Sequence, residues 1–231
     1  MSSTSKPVLK IDWATHEAAK FACLNWHYSK CLPMPPMVRV GVWENGNFIG
    51  VVLFSRGASP GLGSKYGLLQ DEVCELSRVA MTTHITQVSR IIRFAVSFLR
   101  KSNPGIRLLV SFADPDEEHH GGIYQAGGWI YTGTSGSELK FFHAGRWKHR
   151  REVVSKVCFG KSKKQIDYKS LPQKLTSGKY RYLMPLDNDM RKQIEPLSKP
   201  YPKRAKKQES ENPSDLGGAV PTDTLQNMKA A

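Results

Sequence analysis

The chain is short of several things, and each shortage removes a class of protein. It has no run of about eighteen apolar residues, so a membrane-spanning helix is excluded. Its opening stretch, MSSTSKPVLKIDW, lacks the apolar centre of an export signal, so export is not expected. The cysteines are Cys23, Cys31, Cys74 and Cys158. They form no CxxC pair and no disulfide framework, which points to reduced thiols in a cytosolic protein. HxH and HExxH spacings are missing, so no metal signature stands out. There are no internal repeats, which removes solenoids. Acids are scarce as well: 20 Asp and Glu stand against 34 Lys and Arg, a formal net charge of +14.

That imbalance makes nucleic acid the leading partner, because neutralising phosphates releases counterions. The excess is concentrated. Residues 143–169 hold nine Lys or Arg against two acids. A second basic stretch, RKQIEPLSKPYPKRAKK, carries three prolines and little apolar periodicity. It and the polar residues after it offer too little apolar surface to offset chain entropy. The expected organisation is one domain over residues 1–189 and a disordered tail over 190–231.

The remainder alternates. Residues 14–26 are helix-prone, with Asp12 or Thr15 as the cap and Ala18, Phe21, Ala22 and Asn25 sharing a face. MVRVGVWE and FIGVVLFSR, joined by NGN, form a hairpin signal. EVCELSRVAM predicts a strand whose apolar residues slip register near Leu76, the mark of a bulge. THITQVSRIIRFAVSFLRK predicts an amphipathic helix, with Val88, Ile91, Ile92, Ala95, Phe98 and Leu99 along its stripe. IRLLVSFAD, IYTG, KFFHA and KYRYLMPL predict further strands. Helix, hairpin, strand, helix, strand, helix and strand in that order imply a mixed α/β sheet, partly parallel, with its site at strand ends.

Four patches of reactive side chains fall at those ends. One is His27 and Tyr28, with Trp26, Lys30 and Cys31 around them. Another is Glu75 and Arg78, opposite charges within an apolar strand, expensive there unless paired or in a cleft. Asp114 closes an apolar strand before Pro115, and His119, His120 and Tyr124 follow. Each also has an ordinary explanation: a cap, a structural ion pair, a turn. Cys31 and Cys74 have no base tied to them by spacing.

WHYSKCLP, CELSRVAM, QVSRIIRFAV, FADP and HHGGIYQAGGWIYTG together resemble the Mom family of phage DNA-modification proteins. The likeness runs from about residue 20 to about residue 185 and looks very close to one phage member. It implies a GNAT acyltransferase-like fold, a mixed sheet with helices on both faces and strands splayed at the site. It also implies an activity: carbamoylmethylation of adenine N6 in double-stranded DNA, with the base flipped out, protecting phage DNA from restriction in the host cytoplasm. Under that resemblance His27, Tyr28, Glu75, Arg78, Asp114, His120 and Tyr124 are the catalytic candidates. His27 would be a proton acceptor or metal ligand. Asp114 or Glu75 would orient the amine, and Arg78 would hold a phosphate or a donor carboxyl.

GNAT proteins cradle the acetyl-CoA pyrophosphate with Q/R-x-x-G-x-G/A at a helix start. The matching residues here are Gln87, Val88, Ser89 and Arg90, followed by bulky Ile91 and Ile92. Arg90 and Ile92 replace the small residues, which argues against acetyl-CoA. The donor stays unidentified; an aminoacyl carrier such as glycyl-tRNA and an iron-dependent step are the open alternatives. The DNA backbone is expected along Arg146, Trp147, Lys148, His149, Arg150, Arg151, Lys161, Lys163 and Lys164. Competing readings are an N-acetyltransferase for another amine and a non-catalytic DNA-binding protein. No membrane partner is expected, and the oligomeric state is left open.

Overall fold

In the computed structural model the described residues are 6–57, 59–154, 157–158, 161–162 and 166–204. The chain begins with β1 (Leu9–Trp13), α1 (His16–Trp26), β2 (Met37–Glu44), β3 (Asn47–Ser55) and β4 (Val73–Met81). Then come α2 (Val88–Ser102), β5 (Leu108–Ala113), α3 (Gly122–Gln125), β6 (Ile130–Thr134), β7 (Leu139–His143) and β8 (Arg146–His149). Short α4 (Arg150–Val154), β9 (Val157–Cys158), β10 (Lys161–Ser162) and β11 (Gln173–Leu175) lead to β12 (Tyr180–Pro185) and α5 (Asn188–Ile194). Seven strands form the main sheet in the order β1-β2-β3-β4-β5-β12-β6. β11, β7 and β8 form a separate small sheet.

All pairings in the main sheet are antiparallel except β4 with β5. That parallel ladder is short: Val73, Cys74 and Glu75 face Leu108, Leu109 and Val110, and then the strands part. Ser111 Oγ donates to the Leu76 carbonyl (2.9 Å) just past the fork. The expected bulge is present, because Phe54 faces Leu76 while Leu53 faces Arg78, leaving Ser77 as the extra residue. This is the splayed mixed sheet with helices on both faces that a GNAT-like fold implies.

Alternate residues of each strand serve opposite faces. Val52, Phe54, Cys74, Leu76 and Leu109 meet Ile91, Ile92, Ala95 and Leu99 of α2. Val51, Leu53 and Ala80 meet Ala19, Ala22 and Cys23 of α1 on the other face. Thr15 caps α1 as expected, its Oγ1 accepting the Ala18 N–H (3.1 Å). The buried face of α1 is not the expected one. Phe21 is 53 % exposed and packs edge-on against Trp26. Small side chains let α1 approach the sheet closely, and a phenylalanine there would hold it off. The β2–β3 turn has Asn45 and Gly46 at φ of 50° and 84°, the pair that a two-residue hairpin requires.

Two expectations are corrected. α2 begins at Val88 rather than Thr83, because the Glu44 carboxylate holds the Ile85 and Thr86 N–H groups (2.9 and 2.8 Å) outside a helix. The folded body also runs past residue 190. Met190 and Ile194, one turn apart on α5, are fully buried with Val110 and Leu183. The Tyr201 hydroxyl then donates to the Trp129 carbonyl (2.8 Å). Composition undervalued this stretch because two apolar residues suffice when the sheet supplies the other half of the core. The rest of the expected tail, 205–231, lies outside the described residues.

A chain whose residues 190–204 belong to the core responds to truncation within them. Met190→Ala should cost about 2–5 kcal/mol of stability. Exposed Lys192→Ala should stay within roughly 0.5 kcal/mol of wild type. Urea unfolding of both variants measures the difference, and equal midpoints would return this segment to a solubilising role.

Candidate active site

Where β4 and β5 part, a cavity of about 780 Å³ opens between them. Ser77, Arg78, Val79 and Met81 of β4 form one wall, and Phe112 and Ala113 of β5 another. The loop after α1 adds Trp26, His27 and Tyr28; the 118–124 loop adds His119, His120 and Tyr124; His84 and Val88 close the end near α2. Five of the seven sequence candidates therefore share one cavity: His27, Tyr28, Arg78, His120 and Tyr124.

His27 is 9 % exposed. Its Nδ1 accepts the Ser29 N–H (3.1 Å) and lies 2.8 Å from the Ser29 hydroxyl. An atom accepting an amide proton carries none itself, so the neutral ring is protonated at Nε2 and acts there as a donor. Burial, reinforced by Arg78, His119 and Lys30, pushes the imidazole down to about 3. The expected proton acceptor is thus a neutral ring whose remaining nitrogen donates. Its face stacks on Tyr28 (centroids 4.4 Å), and Tyr28 meets His119 edge-on at 5.3 Å. Tyr28 keeps 44 % of its surface exposed. Desolvation by the surrounding walls, then nearby Asp114, pushes its phenol up to about 12.

His84 has the opposite polarity. Its Nδ1 stands 2.6 Å from the Thr82 carbonyl, which can only accept, so Nδ1 carries a proton; in the neutral ring the lone pair is then on Nε2. Sequence reasoning passed it over; the available signal was a histidine between a strand end and a helix start. Glu44, 6 % exposed, lies close enough to His84 for the two to interact, and its hydrogen bonds to Thr86 and Ile85 hold its carboxyl below the usual range. That carboxylate also occupies two N–H groups of the β4–α2 loop, and its charge opposes a phosphate there. Gln87 caps α2 without a side-chain hydrogen bond. Ser89 and Arg90 do not line the main cavity; they face a second groove.

Arg78 binds the loop back onto β4. Its Nε and Nη2 reach the Cys31 carbonyl (3.3 Å) and sulfur (3.7 Å), and Nη1 donates to the Ser77 carbonyl (2.7 Å). The 119–121 loop is fixed from below, where the His120 carbonyl accepts from Tyr182 (2.6 Å) and Gln125 (3.1 Å). Only glycine fits next: Gly121 has φ of 83°, and a Cβ would stand 2.3 Å from the Tyr182 ring. Tyr124 is buried at the rear, which pushes its phenol up to about 12.

Glu75 and Asp114 lie outside the cavity lining. Glu75 sits beside Gly57, where a Cβ would come 2.8 Å from its Oε2. Asp114 Oδ1 caps the 115–117 turn by accepting the Asp116 N–H, and Oδ2 pairs with Lys140 (3.5 Å) and Lys179 (3.8 Å). Asp114 is thus engaged in a turn cap and two lysine pairs, yet both carboxylates are near enough to act electrostatically on the cavity phenols, Asp114 on Tyr28 and Glu75 on Tyr124. Burial pushes the Cys74 thiol up to about 12, so it is inert. Among the described residues no three His, Cys, Asp or Glu side chains are grouped to hold a metal ion.

The basic segment flanks the mouth rather than entering it. Arg146 donates to the Ser29 carbonyl (3.4 Å), which places β8 beside the His27 loop. Trp147, 41 % exposed, packs edge-on against Phe142. Lys148 reaches His143 (3.3 Å), His149 pairs with Glu138 (3.3 Å), and Arg150 lies over Tyr168. None of residues 146–150 lines the cavity. Lys163 and Lys164 lie outside the described residues, as do the side chains of Arg151 and Lys161. No helix among the described residues is long and apolar enough to cross a membrane.

The pattern of the Mom protein family matches residues 8–203. A curated relative, the methylcarbamoylase mom of Escherichia phage Mu, is 24% identical over 188 residues, covering 77% of this chain and 76% of its own. The kinship is thus distant, not the very close one that the shared motifs suggested. Solved structures with a similar outline include a Bacillus subtilis acetyltransferase in complex with CoA (12% identity, TM-score 0.45, 79% of this chain and 100% of that one). Another is an aminoglycoside acetyltransferase with coenzyme A and kanamycin (13%, 0.45, 82% and 98%).

The His27 environment has a consequence for pH. The unfolded chain takes up a proton on this ring as pH falls below about 6.5, while the folded chain resists until about 3. His27 therefore contributes stability that is whole above about pH 6.5 and is lost progressively below it. Urea midpoints across that window should fall less steeply for His27→Gln than for wild type. A His27 ring signal titrating near 6.5 by NMR would contradict the assignment.

Proposed function

The chain belongs to the Mom protein family, and from that premise we propose that it is a GNAT-like transferase that modifies DNA, placing a carbamoylmethyl group on adenine N6. One observation carries the reading: two histidines whose Nδ1 atoms make hydrogen bonds of opposite polarity line the same cavity. At about 780 Å³ that cavity falls within the range of small-molecule sites. It can take an extruded base and a small donor group together.

The N6 lone pair is delocalised into the ring, so the amine is a weak nucleophile. Flipping the base costs a few kcal/mol, which the basic surface helps to offset. Inside, Tyr28, held by its stack on His27, forms part of the wall against which the purine packs. His27 Nε2–H donates to a ring nitrogen of the purine and makes N6–H more acidic. His84 Nε2 takes the N6 proton while the N6–carbon bond forms and the bond from that carbon to its leaving group breaks. Glu44 steadies the resulting imidazolium. Arg78 and Ser29 act one step back, holding the loop and the His27 tautomer.

The donor in this reading is a carrier other than acetyl-CoA. The Glu44 carboxylate at the β4–α2 loop supports that, as do Arg90 and Ile92 in place of small residues. An aminoacyl carrier such as glycyl-tRNA holds the same two carbons and nitrogen, but attack at its ester carbon gives the isomeric N6-glycyl amide; the N6–carbon step above calls for a donor whose leaving group sits on the methylene of an acetamide unit. No step here runs through a metal. The product would shield phage DNA from restriction in the host cytoplasm.

Nucleosides from plasmid DNA, digested after expression in bacteria, test the reading by mass spectrometry. Wild type should yield a modified deoxyadenosine. His84→Gln and His27→Gln should each lower it by roughly a hundredfold or more, the usual size of a lost acid–base group. Both variants should still bind DNA. Unmodified DNA from wild type, with tight acetyl-CoA binding by calorimetry, would favour an N-acetyltransferase instead.

A further inference from the structure

Behind the cavity, on the far side of the α2–α3 contact, lies a second groove of about 770 Å³. Arg90, Arg93 and Arg100 of α2 and Arg191 of α5 line it, and no acid does. All four arginines are exposed, and none forms an ion pair among the described residues. The three on α2 fall at intervals of three and seven, which puts them in a row on one face. At 1.5 Å per residue the row is about 15 Å long, the span of two or three successive phosphates on one strand.

We infer that this groove seats the sugar-phosphate backbone of duplex DNA beside the target adenine. A row of cations suits a strand of phosphates, whereas a single small anion would call for donors converging on one point. The aromatic ring in the lining, Trp129, is only 1 % exposed, so the groove offers no stacking platform for unpaired bases. That favours an intact duplex over a single strand. The groove and the cavity adjoin across the α2–α3 contact. Val88 faces the cavity and Ser89 the groove on α2, while Ile123 and Ala126 divide in the same way around α3. A backbone lying in the groove therefore passes next to the cavity. The basic β7–β8 hairpin, beside the His27 loop, offers a further cationic surface near the cavity.

The inference rests on the adenine-modifying reading but is tested without it, by binding to unmodified DNA. Fluorescence anisotropy with a labelled duplex, across a salt series, gives the slope of log Kd against log salt. Arg93→Gln with Arg100→Gln should lower that slope by about two, at roughly 0.9 per lost phosphate contact. Arg93→Lys with Arg100→Lys should keep it. Lys6→Gln with Lys10→Gln, the same charge removed at β1, should keep it too. A Gln pair that matches the β1 control would overturn the inference. So would a Gln pair that loses binding to structured RNA while keeping the wild-type DNA slope, since the groove would then serve an RNA. All four substituted positions in the two Gln pairs are exposed, and thermal melting confirms folding. Absence of modified adenine in plasmid DNA would sink the enzymatic reading while leaving a lowered slope intact, so the two failures are told apart.

Discussion

The parting of β4 from β5 is the constraint on which the site depends. Three residue pairs hold the only parallel ladder of the main sheet, and beyond them each strand loses its neighbour on that side. A backbone inside a protein cannot leave its polar groups unpaired without cost. The Leu76 carbonyl is satisfied by Ser111 Oγ at the crotch. The bulge at Ser77 then turns the strand, so that Arg78 faces the α1 side and reaches the Cys31 carbonyl and sulfur. The cavity, the bulge and the anchoring of the WHYSKC loop are one event seen at three points.

Polarity inside the cavity is set by backbone rather than by charge. The Ser29 amide and the Thr82 carbonyl each engage an Nδ1 and thereby fix what the distant nitrogen of His27 and of His84 can do. The two rings also differ in their charged neighbours: Glu44 interacts with His84, whereas Arg78, His119 and Lys30 surround His27 and oppose a charge on it.

Much of this was legible in the sequence, for reasons that can be named. The β2–β3 hairpin followed from Asn45 and Gly46, the bulge from the broken alternation around Leu76, and the apolar stripe of α2 from its period. His27, Tyr28, Arg78, His120 and Tyr124 fall in one cavity because reactive side chains at strand ends converge when strands share a sheet. Glu75 and Asp114 stand outside the cavity lining; a charge near an apolar strand also has structural uses, and for Asp114 capping a turn between two lysines is one of them. His84 was missed because its role depends on a carbonyl two residues back, which no side-chain pattern reveals. The burial of Met190 and Ile194 was missed because composition counts apolar residues and ignores the sheet that receives them.

Charge is placed with more discrimination than a net value of +14 conveys. The start of α2 is where a helix most readily accepts an anion, since its first N–H groups are unpaired and its dipole is positive there. Just ahead of it the protein has installed a carboxylate of its own, Glu44, buried and bonded to two amides. The cations stand instead along the outer face of the same helix, at Arg90, Arg93 and Arg100. A phosphate approaching α2 is thus repelled from its tip and attracted along its flank. A small phosphorylated cofactor would bind at the tip, whereas a long polyanion can lie along the flank and still leave the tip, and the cavity beside it, free for an uncharged base.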